Sequence, residues 1–430
     1  MLLPFEVGMP LSSSLSAYAR VTALASRRPI HAAFAWLHAN TKSILDWQVE
    51  LCTIPAPPFG EQARSEWLRA RFDEIGLDKV QIDEVGNVLG FLPSPHLSPE
   101  STGHIVVLSA HLDTVFPADT PLHPQVRATD GHERIEAPGA CDNGAGVVGM
   151  MAIAQALVKS GVELPAALLF LGNVGEEGEG DLRGVRHLYK HARLAGRIAA
   201  HVVLDGAGAD AAVTQALGSR RYQITISGPG GHSFTEAGTP NPIVAMSSAL
   251  AALASTAVPE EPRTTLNVGT IHGGTSVNSI PEVAAATVDF RSTTTDELVR
   301  LEVALHRAVE DAVDMWNNRA TALGRMRGIL TYRIEMIGDR PAARLPENSP
   351  ILEALRGVDR HLGLQSGSRL GSTDANIPLS LGVPSLSVGA GGEGGGAHTL
   401  AEWYSTRNRE LGLRRILLLT AAMLDWAAEQ

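Results

Sequence analysis

The chain has 430 residues, 35 of them Lys or Arg and 46 Asp or Glu, for a formal net charge of −11. With 44% apolar and 19% charged residues it has the composition of a folded protein of two or three domains at ~100–200 residues each, and not of a disordered chain. The acidic balance argues against nucleic-acid binding, which needs Lys and Arg to neutralise phosphates. Two cysteines, Cys52 and Cys141, rule out a disulfide framework or a multi-cysteine zinc finger. No apolar run reaches the ~18 residues that span a bilayer, so no membrane partner is expected. The start, MLLPFEVGMPLSSSLSAYAR, has no positively charged stretch ahead of an apolar core and reads poorly as a secretory signal. A cytoplasmic location is the expectation. Residues 1–30 are weakly patterned, with Met9 an alternative start.

The spacing of Ile44, Leu45, Trp47 and Leu51 predicts an amphipathic helix over 38–50, broken by CTIPAPPFGE. Trp67, Leu68, Phe72 and Ile75 predict a second helix over 61–76, capped by Gly76. Short strands follow at 79–82 and 88–92. The pattern then changes to continuous apolar runs at 105–110, 166–171, 202–204 and 385–388. Runs apolar on both faces read as strands buried in a mostly parallel sheet. The apolar helical stretch 147–158 lies between two of them, an α/β alternation. Within 221–289 the strands RYQITISG, TTLNVGTIHGG and EVAAATVDFRS flank a helix at 243–254. A helix at 295–317 and the strand ILTYRIEMI complete a β-α-β-β-α-β order, expected to form a ferredoxin-like insert. The expected domains are 1–217 with 339–430, and 218–338 between them.

Chemistry gathers at the strand ends. The first run ends in His111-Leu112-Asp113, the second leads to Glu176-Glu177, the third ends at Asp205, and the fourth runs through a glycine patch, read as a flexible loop, to His398. The loop GACDNGAG adds Asp142 just before a helix. Parallel strands would bring all of these to one rim, where open α/β sheets bind ligands. Each residue alone has an ordinary explanation as a turn, loop or solvated side chain. Five acidic or His landing sites, each tied to an apolar run, do not share one.

Two histidines and several carboxylates suit a divalent transition metal, zinc first. The count suggests two ions bridged by a carboxylate at ~3.5–4 Å. Three carboxylates and one hydroxide would neutralise two zinc ions, whereas without metal the carboxylates would repel and shift their pKa values upward. His111 and Asp113 point the same way in an extended strand, so Asp113 can orient the histidine. Adjacent Glu176 and Glu177 diverge, leaving one for metal and the other to face a water as general base.

As a set, HLDTV, GACDNGAG, GEEGEGDLRG, LDG, GGHSF, NSIPEVAAATVDFR, GSTDANIP and GGGAHTLAEW resemble the dinuclear zinc hydrolase family of carboxypeptidase G, peptidase T, acetylornithine deacetylase and aminoacylase. The resemblance runs in order over 44–426. It implies a zinc-peptidase α/β domain, with helices on both faces of a mixed, mostly parallel sheet, interrupted by a lid that dimerises. It also implies His111 with Glu177 or Asp205 as terminal ligands, Asp142 as the bridge, His398 on the second ion, Glu176 as base and Asp113 as support for His111. A cis Asp142–Asn143 peptide is implied too. Asp205 resembles the peptidase T side of the family, while GGHSF departs from the commoner GxHAG-type lid motif. In the lid, His232 is implied as oxyanion donor, Arg291 as carboxylate holder and Asn278 as a further substrate contact. Gly371, Ser372, Thr373, Asp374 and Asn376 are implied to line the same pocket.

The resulting expectation is a metal-dependent exopeptidase acting on small peptides, with zinc, or cobalt or manganese as substitutes, and a homodimer formed through the lid. Deacylation of N-acyl amino acids is the alternative, and a non-catalytic binding protein on the same fold a remote one. Cys141 is expected to be a small buried filler, and His123, His132, His187, His191 and His201 to be surface or packing residues.

Overall fold

The computed structural model describes residues 11–93, 103–190 and 192–430; His191 and Met9 lie outside them. The chain forms two compact units, one from residues up to 216 together with those from 344 onward, the other from 217–343.

The first unit is built on a mixed sheet. Its strands run in the order Asp78–Ile82, Val88–Phe91, Ala167–Asn173, Ile105–His111, Ile198–Leu204, Ser385–Val388, Ala211–Ala216 and Ala343–Arg344, with Gly367–Gly371 also pairing to Ala211–Ala216. The four strands read from apolar runs are parallel to one another: Ile105–His111 pairs in parallel with Ala167–Asn173 and with Ile198–Leu204, which pairs in parallel with Ser385–Val388. Their carboxyl ends therefore share one rim. These strands are apolar throughout because both faces are covered. Residues such as Val107, Leu169 and Leu171 pack with Leu182 and with Val185 and Leu188 of the helix Arg183–Lys190 that follows it. The alternate residues face the other way, where Phe170 meets Phe72 of the helix Gln62–Ile75 edge-on.

Chain punctuation places the helix that follows the Asp142 loop. Asn143 caps Gly144–Ser160 by accepting from Gly146 N, and Gly161 ends it in a left-handed conformation. The weakly patterned start is in fact helical, with Leu11–Ala25 and Arg28–Ala39 preceding Thr41–Leu51, so the helix expected over 38–50 begins at Thr41. The signal was faint because half of the buried stripe of the first helix is alanine: Ala17 and Ala25 beside Val21 and Leu24. Gly357 lets that helix approach Pro350–Leu362, since a Cβ there would lie 3.0 Å from the Ala17 carbonyl carbon.

The second unit is a four-stranded antiparallel sheet in the order Thr264–Gly273, Val283–Ser292, Gly218–Ser227, Thr331–Arg340. The helices Pro242–Ala254 and Thr295–Arg319 supply the β-α-β-β-α-β order of a ferredoxin-like fold. Burial alternates along Val283–Ser292, so Ala284, Ala286, Val288 and Phe290 meet Leu298, Leu301, Leu305 and Val309 in one core. Emptying such a position, as in Phe290→Ala, would cost ~3–5 kcal/mol.

His201, at the centre of the first unit's sheet, is fully buried between the Tyr189 hydroxyl (3.1 Å) and Ser109 Oγ (2.8 Å). It is the packing residue expected. Burial pushes its pKa from 6.5 down to about 3. The unfolded chain therefore gains a proton on acidification that the fold refuses. This contribution to stability is complete above the unfolded pKa and falls by ~1.4 kcal/mol per pH unit as the pH drops below it toward the folded value. Denaturant unfolding of wild type and His201→Gln between pH 7 and pH 5 should show a shallower pH slope in the variant, by up to one proton. Equal slopes would mean that His201 is protonated within the fold.

Candidate active site

At the shared rim, two groups of side chains converge. The ligand-type atoms of His111, Asp142 and Asp205 lie within 4.8 Å of one another, and so do those of Asp142, Glu177 and His398. Asp142 belongs to both. Its Oδ1 is 3.1 Å from His111 Nε2 and its Oδ2 is 3.1 Å from His398 Nε2. His398 Nε2 is also 3.1 Å from Glu177 Oε1, and His111 Nε2 is 3.9 Å from Asp205 Oδ1. Glu176 groups with His111 and Glu177 but not with His398.

Backbone contacts fix each member. His111 closes its strand, and its Nδ1 is 3.1 Å from the Asp113 carbonyl oxygen. A proton donated there leaves Nε2 with its lone pair aimed at two carboxylates. The Asp113 carboxylate, 3.6 Å from Nδ1, has other work: it accepts from Glu176 N (3.0 Å) and Glu177 N (2.7 Å). Asp113 thus holds the Glu176-Glu177 turn as well as lying against His111. Asn143 links the Asp142 loop to the Asp205 strand, donating to Leu204 O and accepting from Gly206 N. A Cβ on Gly146 would sit 2.1 Å from Asn143 Oδ1, so only glycine fits there. The Asp142–Asn143 peptide is cis.

The electrostatics call for positive charge. Burial and the charge of Glu176 push the Glu177 carboxyl up to about 7, and burial with the Asp142 charge raises Asp205 well above its ordinary value. Burial would raise Asp142 too, but hydrogen bonds from His111 and His398 hold it low. His398 rises to about 9 through its bond to Asp142, and His111 is raised despite burial by Asp113 and Asp142. Without a cation, protons must occupy the spaces between these groups. Imidazole and carboxylate donors in two sets sharing one carboxylate fit a pair of divalent cations.

Other expected residues are placed differently. Of 371–376, only Gly371 and Ser372 keep partial exposure. Thr373 lines a cavity of about 210 Å³ with Asp205, Asp210 and Arg369. Asn376 is fully buried and its Oδ1 accepts from Thr373 N, while Asp374 is buried against Asn173 Nδ2 (2.7 Å). Asn376 thus braces its own turn, whereas Asp374 reaches the end of the Asn173 strand, where burial and the charge of Glu176 push its carboxyl up to about 7. His232, Asn278 and Arg291 belong to the second unit. The first two meet on a short ribbon, where Ser233 N donates to Asn278 O. His232 Nδ1 accepts from Phe234 N and Thr235 N, which puts the proton of the neutral ring on the exposed Nε2. Arg291 is held by Asp289, which also pairs with Arg221. The glycine patch is no flexible loop: Glu393–Gly395 is a strand paired with Trp403–Ser405.

Arg64 escaped the sequence reading. It is buried, donating to Ile54 O and Leu112 O behind the His111 strand end. Its signal was an arginine on the apolar stripe of Leu68 and Phe72, at positions i, i+4 and i+8.

A model of peptidase family M20/M25/M40 matches residues 107–422. The chain belongs to that family. As a member of family M20 it is a hydrolase of the metallopeptidase class. It is 24% identical over 367 residues to the YqjE protein of Bacillus subtilis (strain 168), covering 82% of this chain and 91% of that one. Its fold is similar to that of the aminopeptidase PepT of Bacillus cereus ATCC 10987 (TM-score 0.69, 18% identity, 89% of this chain and 98% of the other). It is also similar to that of the YXEP protein of Bacillus subtilis, a dinuclear metal-binding peptidase of family M20 (TM-score 0.63, 15% identity, 90% and 99%).

The cysteines stay outside this chemistry. Cys52 and Cys141 are buried, and burial pushes both thiols up to about 12. A thiol reagent at pH 8 should leave the native protein unlabelled and titrate both cysteines once it is unfolded. Cys141→Ser should retain most hydrolytic activity; its loss would bring the thiol into the reaction.

Proposed function

We propose that this M20 hydrolase is an exopeptidase acting on small peptides, using a water activated by Glu176. The observation that carries the reading is the division of the Asp142 carboxylate between two histidines, with Glu176 beside that cluster. His111, Asp142 and Asp205 would hold one ion, and Asp142, Glu177 and His398 the other. Zinc suits this donor set best, with cobalt or manganese as substitutes, and when bound such ions supply Lewis acidity toward the scissile carbonyl. The peptidase names of the similar structures support this substrate class over N-acyl amino acids.

Glu177 and not Glu176 shares a group with His398, which supports Glu177 as ligand and Glu176 as base. The Glu176 carboxylate takes a proton from water as the water oxygen bonds to the carbonyl carbon, then delivers it to the leaving nitrogen as the C–N bond breaks. The Asp113 carboxylate, bonded to the N–H groups of both glutamates, fixes where that proton is taken up. His232 donates Nε2–H to the developing oxyanion, work worth ~2.7–4 kcal/mol from a preorganised donor. Arg291, its Nε fixed on Asp289, offers its remaining guanidinium edge to a substrate carboxylate. A screen of dipeptides, tripeptides and N-acetyl amino acids with added zinc, cobalt or manganese tests the substrate class directly; exclusive turnover of acyl amino acids would replace peptidase by deacylase.

Two sets of variants test the roles. Glu176→Gln should keep bound metal and lower kcat by at least ~10²-fold, whereas Glu177→Gln and His398→Ala should each weaken metal binding. An active Glu176→Gln, or equal metal loss in all three by elemental analysis, would overturn the assignment.

Arg291→Ala should raise KM strongly for substrates with a free carboxylate and little for their amides. A uniform rise for both would mean that Arg291 supports the fold of its strand and does not bind the carboxylate.

A further inference from the structure

We propose that Glu402 is a positioning residue that sets the Asp142 carboxylate in its shared orientation before any metal arrives, an inference that rests on reading Asp142 as a common ligand. Glu402 is fully buried, and its carboxylate accepts hydrogen bonds from three backbone N–H groups. Its Oε1 accepts from Cys141 N and Asp142 N, both at 2.7 Å, and its Oε2 accepts from Gly139 N at 2.8 Å. Its own carbonyl accepts from Ala137 N at 3.0 Å. The side chain and main chain of one residue thus grip the loop 137–142. From the other side, Gln48 Nε2 donates to Ala140 O at 2.6 Å. Glu402 and Gln48, which hold the loop from its two sides, are not themselves among the candidate ligands.

Glu402 also stands four residues after His398, on the same short segment that pairs through Trp403–Ser405 with His132–Glu136. His398 faces the Asp142 carboxylate and Glu402 faces the Asp142 N–H. One segment therefore sets both ends of Asp142 and couples the loop's position to that of the histidine.

Only an anion with two acceptor oxygens satisfies three N–H donors at this place. Glutamine has the size of glutamate but would turn an NH₂ group toward an N–H. Aspartate is shorter by a methylene yet keeps both acceptors. The two substitutions therefore separate acceptance from space-filling. Cobalt binding to the apoprotein, measured by titration calorimetry and by the visible absorption of the bound ion, should rank wild type above Glu402→Asp and Glu402→Asp above Glu402→Gln. Glu402→Gln should lose at least tenfold in affinity for one ion. The reverse order, or unchanged binding in Glu402→Gln, would reduce Glu402 to packing. If wild type itself binds no cobalt, the reading of the metal site fails instead, a separate result. Should Glu402→Gln not fold, Glu402→Asp decides alone: weaker binding of one ion supports the role and unchanged binding overturns it. Hydrogen exchange of wild-type apoprotein requires no variant. The amides of Gly139, Cys141 and Asp142 should be protected without metal, and rapid exchange there would overturn a loop set in advance.

Discussion

Three carboxylates crowded around two histidines repel one another, and the rest of the first unit is arranged to bear that repulsion. Two like charges 4 Å apart cost ~4 kcal/mol at an effective dielectric of about 20. The raised carboxyls of Glu177 and Asp205 register this cost, and so do the raised histidines that supply protons in place of a metal. A cluster of this kind keeps its shape only if each member is fixed by contacts that do not depend on the others.

The fixing contacts are mostly to backbone. Asp113 takes the N–H groups of Glu176 and Glu177, Asn143 ties the Asp142 loop to the end of the Asp205 strand, and His111 leans on a carbonyl. Behind them the parallel strands are apolar on both faces, so their ends are held by packing that no local rearrangement at the rim can relieve. Arg64 adds a buried cation whose ionisation is governed by burial first and then by Cys52, Asp113 and Glu402. The site is thus over-determined from the sheet outward, the condition under which crowded charges serve as ligands and do not simply push apart.

This division explains what the sequence disclosed. Apolar runs ending in His111, Glu176-Glu177, Asp205 and His398 are visible in one dimension because parallel strands turn chain order into a spatial rim. The ferredoxin-like order of the second unit was visible for another reason: its antiparallel strands alternate buried and exposed residues between helices. The partners of Asp113 could not be read, since backbone amides carry no letter in the sequence. Glu402 was hidden likewise: as a residue type it is one more acidic side chain near the C-terminus, and its role depends on three N–H groups 260 or so positions away. The burial of Asp374 and Asn376 was hidden too, because the motif does not show that Asn173 Nδ2 takes up the Asp374 carboxylate while Asn376 Oδ1 accepts from Thr373 N.

The second unit follows another logic. His232 is exposed on a two-stranded ribbon, Asn278 is exposed just before its second strand, and Arg291 is only partly covered. Their geometry is nevertheless set in advance: two backbone N–H groups choose the His232 tautomer, and Asp289, whose carboxylate also pairs with Arg221, occupies one edge of Arg291. Groups that meet a substrate from water must be orientated without being buried, and neighbours in their own strands and turns do this at little cost in access. Groups that meet a cation must be stripped of water, and the sheet does that. The two sets of side chains are therefore fixed by separate contacts: those at the rim by the first unit's sheet and its loops, and His232 and Arg291 by neighbours in their own strands and turns.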